Sequence, residues 1–145
     1  MTTHMISRAC AWFALAAVST CALAASPAPA GSPPDLLGTW RGTSVCTDRA
    51  LTPACKDEVV VYEFTAGPTP GSVHWKADKV VNGERQTMGE FDLTWAADRA
   101  CWAAEFQSPR MRSAWCVQAD GKHLTGTGRL LPGNETIRRI EARKD

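Results

Sequence analysis

The chain has 145 residues and is almost neutral, with 16 Lys and Arg residues against 15 Asp and Glu residues. A chain of this length builds one domain around one core. The balanced charge argues against nucleic acid or an anionic membrane surface as a partner. No apolar run after the first 25 residues is long enough for a transmembrane helix, so the composition favours a small domain that works in solution.

Residues 1–25 have the layout of a secretory signal peptide. Arg8 precedes an apolar run over residues 9–23 that is too short to span a membrane, and small residues follow it. We expect cleavage near Ala24 or Ala25. The mature protein would then fold in the periplasm or outside the cell.

A lipoprotein signal is the alternative interpretation of the same leader. Cys21 follows Val18-Ser19-Thr20, which resembles the sequence before a lipid-modified cysteine. Threonine fits the last position poorly, and an ordinary cleavage site follows within a few residues. We therefore favour export without a lipid anchor.

Residues 26–37 are rich in Pro, Ala, Gly and Ser and predict an extended linker before a domain of residues 38–145. That domain has four cysteines, Cys46, Cys55, Cys101 and Cys116. An even number in a small exported domain predicts disulfide bonds, with three possible pairings. No pair has the spacing of a zinc or redox site, so we expect neither a metal nor a cofactor.

Turn signals divide residues 38–145 into eight predicted strands without a helix. Short loops join neighbouring strands in antiparallel order, and eight such strands leave two open edges unless the sheet closes. We predict an all-β, eight-stranded antiparallel up-and-down barrel; a two-sheet sandwich, which usually needs longer connections, is the alternative. The predicted strands are residues 38–46, 57–65, 72–81, 84–95, 99–106, 111–118, 122–131 and 135–142.

A turn centred on Ser108-Pro109 predicts the register of its hairpin and one disulfide bond. In this register one face is apolar, with two tryptophans, and the other carries an ion pair and two cysteines within bridging range. We therefore expect Cys101 to pair with Cys116, which leaves the other two cysteines to close the first loop. The remaining opposed pairs are Trp102–Trp115, Ala104–Ser113, Glu105–Arg112 and Phe106–Met111.

The Asn-Gly sequence at residues 82–83 is a strong hairpin signal, because both residues accept positive φ. Regular pairing from this turn would place Trp75 opposite Glu90. One extra residue would instead place it opposite Phe91, so that two aromatic side chains face each other. Because glycine favours bulges, we predict a β-bulge at Gly89.

Alternation places all five tryptophans of the predicted domain on the inner face. An eight-stranded barrel is only just wide enough for its own side chains, so these indoles either fill the barrel or line a cavity for a small apolar or aromatic ligand. The candidate ligand-binding residues are Tyr62, Trp75, Trp95, Trp102, Trp115 and Arg139. The predicted inward set is Trp40, Val60, Tyr62, Phe64, Val73, Trp75, Phe91, Leu93, Trp95, Trp102, Phe106, Met111, Trp115, Val117, Leu124, Leu130 and Ile137.

Gly38 and Trp40 at the start of the first strand resemble the Gly-x-Trp signature of the calycins, the barrels that include lipocalins and avidins. The resemblance implies that Trp40 closes the barrel floor and that an arginine of a late strand packs across its ring. Arg138 and Arg139 are the candidates. We expect Arg139, because alternation places it on the same face as Ile137.

The same start also resembles the small periplasmic inhibitors of bacterial metalloproteases, which are eight-stranded calycin-like barrels. In that family the segment before the barrel enters the protease cleft, and the corresponding segment here is residues 26–37. If it acts in this way, its deletion should abolish partner binding and leave the fold intact. Its prolines equally suit a passive linker.

Residues for catalysis are few after the leader. His74 and His123 have neither a nucleophile nor an orienting carboxylate nearby in sequence, and we expect both on the surface. Glu63, Glu90 and Glu105 would matter only if they pointed inward, and alternation favours the outside. No nucleophile elbow, phosphate loop or dinucleotide fingerprint is present.

These patterns lead us to expect an exported, monomeric, non-enzymatic binding protein. The ligand would be a small apolar or aromatic molecule in the barrel or at its mouth. The alternative is a protein-binding module, such as an inhibitor of an exported hydrolase, that acts through its loops or through residues 26–37. An enzyme would require an inward Glu or His in a polar pocket.

Overall fold

The computed structural model describes residues 33–145, and all regular elements in this range are β-strands. Each strand pairs antiparallel with the next, and the last pairs with the first, so the sheet is a closed up-and-down barrel. This confirms the predicted fold class. The strands are β1 (Gly38–Cys46), β2 (Glu58–Ala66), β3 (Val73–Val81), β4 (Glu84–Ala96), β5 (Cys101–Gln107), β6 (Arg112–Asp120), β7 (His123–Leu131) and β8 (Glu135–Lys144).

The predicted signal peptide, with Cys21, Ala24 and Ala25, and the first part of the predicted linker lie outside the described residues. Within residues 33–145, no helix that could cross a membrane is found.

The core follows from the two-residue alternation of side chains along each strand. In β2, Val60, Tyr62 and Phe64 point into the barrel and are almost fully buried, whereas Val59 is exposed on the outside. The four largest fully buried side chains are aromatic residues of the inner face, Trp40, Trp75, Tyr62 and Phe64. The buried members of the core cluster are Leu36, Trp40, Val60, Tyr62, Phe64, Val73, Trp75, Ala77, Leu93, Trp102, Val117, Leu124, Ile140 and Ala142.

Because the strands alternate in direction, the loops divide between two ends of the barrel. We call the end where β1 begins the closed end; it also holds the β2–β3, β4–β5 and β6–β7 loops. The opposite end, called the open end, holds the other four connections, including the long β1–β2 loop. Residues 97–100 form the β4–β5 loop, so β5 begins two residues later than predicted.

The predicted bulge in β4 is present, one residue earlier than expected. Ala77 pairs with Gly89, and the next residue, Asp78, pairs with Thr87, so Met88 is the extra residue. A Cβ at position 89 would lie 3.1 Å from the Phe91 ring, closer than ordinary van der Waals contact, so glycine suits this position. Beyond the bulge, the predicted pairs Trp75–Phe91 and Val73–Leu93 are formed.

The predicted register of the β5–β6 hairpin is wrong by two residues. The Ser108 amide donates a hydrogen bond to the Met111 carbonyl (2.8 Å), so the turn is centred on Pro109-Arg110. The amides of both Arg110 and Met111 donate to the Ser108 hydroxyl, which stabilises this turn. The observed pairs are Trp102–Val117, Ala103–Cys116, Ala104–Trp115, Glu105–Ala114, Phe106–Ser113 and Gln107–Arg112.

A shift of two residues leaves every side chain on its predicted face, and both expected disulfides are formed, although Cys116 lies opposite Ala103 and so bonds to Cys101 diagonally rather than directly across. Cys101 is bonded to Cys116 across the outer face, and Cys46 is bonded to Cys55 within the first loop. Two disulfides fit an oxidising extracellular or periplasmic environment.

A second bulge, not predicted from the sequence, reverses the alternation in β8. Gly128 pairs with Arg138 while Arg129 pairs with Thr136, so Ile137 is the extra residue. Ile137 is buried but lies outside the main core cluster. Arg138, Ile140 and Ala142 consequently point inward. The expectation that Arg139 shares the inner face is wrong, and its side chain is exposed on the outer face.

Thr47 holds this second bulge in place. Its amide donates a hydrogen bond to the Ile137 carbonyl (3.0 Å), and its hydroxyl donates one to the Thr136 carbonyl (2.6 Å). The first residue after β1 thus continues the pairing of β1 with β8 past Cys46 and Arg138 and binds two carbonyls at the bulge.

Candidate functional site

Residues immediately before β1 seal the closed end. The indole N–H of Trp40 donates to the Leu36 carbonyl (2.9 Å), and that of Trp102 donates to the Pro34 carbonyl (3.1 Å). Leu36 itself is only 1 % exposed and belongs to the core. Part of the predicted linker is therefore built into the barrel, so deleting all of residues 26–37 would also remove a core residue.

Trp40 lies at this closed end, as the calycin resemblance implies, but the cation over its ring is a lysine. Lys144 Nζ is 5.5 Å from the ring centroid and 3.3 Å from an Asp35 carboxylate oxygen. The predicted last strand ended at residue 142, whereas β8 continues to Lys144. Neither Arg138 nor Arg139 occupies the expected place.

The open end contains a cavity of about 190 Å³, which we call the open-end cavity. Five aromatic side chains and two methionines contribute to its wall, and polar groups occupy one corner. Its lining residues are Ser44, Glu58, Tyr62, Trp75, Ala77, Met88, Phe91, Phe106, Met111, Ser113, Trp115 and Arg138.

Trp75 is the centre of the aromatic wall. Its ring packs edge-to-face against Tyr62 (5.0 Å between centroids) and Trp115 (5.8 Å), and it lies at a tilt to Phe91 (5.1 Å). The ring is almost completely buried, and its indole nitrogen has no hydrogen-bond partner among residues 33–145. A buried donor without an acceptor costs about 1–3 kcal/mol of folding free energy.

Arg138 and Glu58 form an ion pair in the polar corner. The Arg138 guanidinium is 3.1 Å from a Glu58 carboxylate oxygen, and these side chains are 17 % and 16 % exposed. Arg138 also donates to the Ser44 hydroxyl (3.0 Å). Since the two charges compensate each other, this corner is polar without a net charge.

Tyr62 adds a neutral hydroxyl to this corner. Burial raises the pKa of its phenol well above the ordinary value, and the hydrogen bond with Ser44 and the positive charge of Arg138 offset this only in part. The group is therefore protonated at any physiological pH and can exchange hydrogen bonds with Ser44 or with a ligand.

The structure divides the six sequence-predicted candidates among three places. Tyr62, Trp75 and Trp115 line the open-end cavity. Trp95 and Trp102 pack against each other near the closed end, with their ring centroids 5.7 Å apart, and neither lines the cavity. Arg139 is on the outer face.

Several cavity residues were missed by the sequence analysis. Ser44 and Glu58 share the parity of Trp40 and Val60, so alternation alone could have placed them inside. Arg138 could not be found in this way, because the bulge at Ile137 changes its face.

The histidines and the three singled-out acids lie outside the cavity. On the outer face, His74 Nδ1 lies 2.8 Å from an Asp92 carboxylate oxygen, and His74 Nε2 lies 3.4 Å from a Glu90 carboxylate oxygen. His123 is exposed. Glu58 does point inward, which is the feature that an enzyme would require, but it is held in the ion pair with Arg138, and no histidine or cysteine is among the described residues that line the cavity. Outer ion pairs bind Glu63 to Arg85 (2.8 Å) and Glu105 to Arg112 (2.6 Å).

Within residues 33–145, no group of three potential metal ligands is close enough to hold an ion. Comparisons with protein-family models, with curated proteins and with solved structures found no match. The closed barrel is compatible with a calycin-like fold. A functional proposal for this chain therefore depends on the geometry of its own cavity.

Proposed function

We propose that the protein is an exported, non-enzymatic, calycin-like barrel that binds a small aromatic or apolar molecule in the open-end cavity. The observation behind the proposal is an aromatic wall beside a small polar corner, in a cavity of about 190 Å³. Ligand pockets commonly combine an apolar lining with a few oriented polar groups. A cavity of roughly 150 Å³ accepts benzene, so the ligand has about one or two rings.

The polar groups suggest a neutral ligand with a hydrogen-bond acceptor. Arg138 and Glu58 already neutralise each other, so a charged ligand would have to compete with one of them. A hydroxyl, ether or carbonyl oxygen of the ligand could accept a hydrogen bond from the protonated Tyr62 hydroxyl, which lines the cavity beside Ser44.

Export belongs to the same proposal. The leader of residues 1–25 would direct the chain to the periplasm or beyond, with cleavage near Ala24 or Ala25, and the two disulfides support an oxidising destination. The mass of the protein recovered from its source would give the cleavage point and would detect any lipid on Cys21.

Native mass spectrometry and thermal unfolding with 2-naphthol, a neutral two-ring probe, test the ligand proposal. We expect a one-to-one complex and an increase in Tm for the wild type. Ala77→Leu, which fills the cavity, should abolish both, whereas Val45→Leu on the exposed outer face should not. Equal behaviour of the two variants, or a protein that is recovered without ligand and does not respond to the probe, would contradict the proposal.

The protein-binding alternative can also be tested. For all of residues 26–37 to enter a partner's cleft, residues 34–36 would have to leave Trp40 and Trp102 at the closed end. A deletion restricted to residues 26–32 keeps these contacts. If this segment binds an exported hydrolase, the deletion should abolish inhibition of that hydrolase and leave Tm unchanged.

A further inference from the structure

The barrel is closed unevenly between β4 and β5. β4 pairs with β3 at nine positions, and β5 pairs with β6 at six. β4 and β5 themselves are joined by three pairs, all near the closed end: Thr94–Ala103, Trp95–Trp102 and Ala96–Cys101. Towards the open end the two strands are not paired with each other, and we call this unpaired stretch the β4–β5 seam.

Both sides of the seam have unpaired strand edges. Residues 84–93 of β4 pair only with β3, and residues 104–107 of β5 pair only with β6. In a strand that has one partner, alternate main-chain N–H and C=O groups point away from that partner. Turn and loop hydrogen bonds within residues 33–145 do not use these groups either. The longer edge, on β4, can therefore accept another strand.

The inner side of the seam is apolar. Phe91 of β4 and Phe106 of β5 pack edge-to-face with their centroids 5.5 Å apart, and both line the open-end cavity. Met88 lies beside them and is 40 % exposed. An added strand would therefore direct alternate side chains onto this wall.

The outer side of the seam is acidic. Glu90 and Asp92 project from β4, Glu105 projects from β5, and all three are exposed. Their basic neighbours His74, Lys76 and Arg112 lie on β3 and β6, one strand farther from the seam. Arg85 lies on β4 itself, but it forms ion pairs with Asp78 and Glu63, on the side away from β5. Outward side chains of an added strand would thus meet carboxylates on both sides.

We propose that the β4–β5 seam binds an extended peptide by strand addition to the free edge of β4. Its apolar side chains would face the open-end cavity, and its alternate Lys or Arg side chains would lie among Glu90, Asp92 and Glu105. A second copy of β4 fits less well, because it would bring further carboxylates to the acidic side. This proposal goes beyond the small-ligand proposal and does not depend on it.

The peptide Lys-Val-Lys-Phe-Lys-Val-Lys provides a direct test. We expect saturable binding to the folded protein, with protection from hydrogen exchange confined to residues 84–93 and their seam neighbours. Two further versions have N-methyl groups on alternate sets of residues, which keeps the side chains and removes N–H groups from one edge at a time. At least one version should lose binding. Binding by both, or no protection of β4, would overturn the proposal.

Charge reversal separates the seam from general attraction of a cationic peptide. Glu90→Lys should weaken peptide binding roughly fivefold, since an attractive cross-strand contact becomes repulsive. Glu141→Lys, an identical change on the exposed outer face of β8, should leave it within about twofold because the site is remote from the seam. If Glu90→Lys does not fold, Glu105→Lys tests the other side. Equal loss in the seam and control variants would overturn the proposal.

Discussion

Arg138 and Glu58 bring two charges to the inner wall of a barrel whose other inner side chains are mostly apolar. Their 3.1 Å contact is largely shielded from water, unlike the otherwise similar contact of Arg112 with Glu105 on the outer face. A shielded charge that loses its partner is much more costly than an exposed one. At the scale of single residues, this ion pair therefore provides the charged groups of the cavity, and the loss of either partner should destabilise the folded protein.

The comparison of these two ion pairs gives a testable difference. Arg138→Met should lower the free energy of unfolding by about 1–3 kcal/mol, because Glu58 remains unpaired in the cavity. Arg112→Met should cost less than about 1 kcal/mol, because water solvates Glu105. Urea unfolding of both variants measures the difference, and adding Glu58→Gln to Arg138→Met should recover part of the loss. Equal losses for the two arginines would contradict the argument.

Asp78 is a buried acid on the outer face that the sequence analysis did not single out. Its carboxylate accepts hydrogen bonds from Arg85 Nε and the Thr87 hydroxyl, both at 2.8 Å. Burial alone would raise its pKa, but these hydrogen bonds and the charge of Arg85 outweigh burial, so the pKa lies below its ordinary value. The folded state therefore favours the ionised acid.

The lowered pKa of Asp78 determines how the stability of the fold changes with pH. The stabilisation from Asp78 is complete above the unfolded pKa of about 3.9 and disappears as pH falls through the lower folded pKa. Asp78→Asn should therefore reduce stability at pH 6, and the difference from wild type should shrink towards pH 2. Unfolding midpoints across this range measure it. If the stability difference between Asp78→Asn and the wild type is the same at every pH, the ionised form of Asp78 does not stabilise the fold.

At the scale of elements, the segment before β1 acts as a plug rather than as a free arm. The carbonyls of Pro34 and Leu36 accept both indole hydrogen bonds of the closed end, and the Leu36 side chain enters the core. These contacts satisfy the N–H groups of Trp40 and Trp102, which would otherwise be buried without acceptors. The segment thus completes the barrel at the end opposite the cavity.

Neighbouring leucines provide a matched test of the plug. Leu36→Ala should lower the free energy of unfolding by about 2–4 kcal/mol, as expected for a truncated core residue. Leu37→Ala should change it by less than about 0.5 kcal/mol, because Leu37 is 43 % exposed. Chemical unfolding of both variants checks the prediction. If both substitutions have small effects, the segment is not part of the core.

At the scale of the whole molecule, the two ends of the barrel have different roles. The closed end is packed with indoles, the plug and Lys144. The open end holds the cavity and the seam, and both disulfides lie on loops or the outer face away from the cavity lining. Any ligand or peptide that uses these features would approach from the open end or from the side of the seam.

Much of the fold could be predicted from local patterns in the sequence. Turn residues mark the strand boundaries, alternation selects the inner face, and an even shift in register leaves the faces unchanged. The error at Ser108-Pro109 therefore did not affect the disulfide between Cys101 and Cys116. Three of the six candidate ligand-binding residues also line the cavity: Tyr62, Trp75 and Trp115.

The sequence by itself determined an eight-stranded barrel with two disulfides and an aromatic interior, because these depend on spacing along the chain. The tertiary structure alone decided which arginine enters the cavity, where the barrel is plugged and where it is left unpaired. A bulge such as that at Ile137 exists only in relation to a neighbouring strand, and one extra residue exchanges inside and outside for Arg138 and Arg139. Likewise, β4 and β5 pair at three positions, and where this pairing stops is a relation between two strands that no local pattern records.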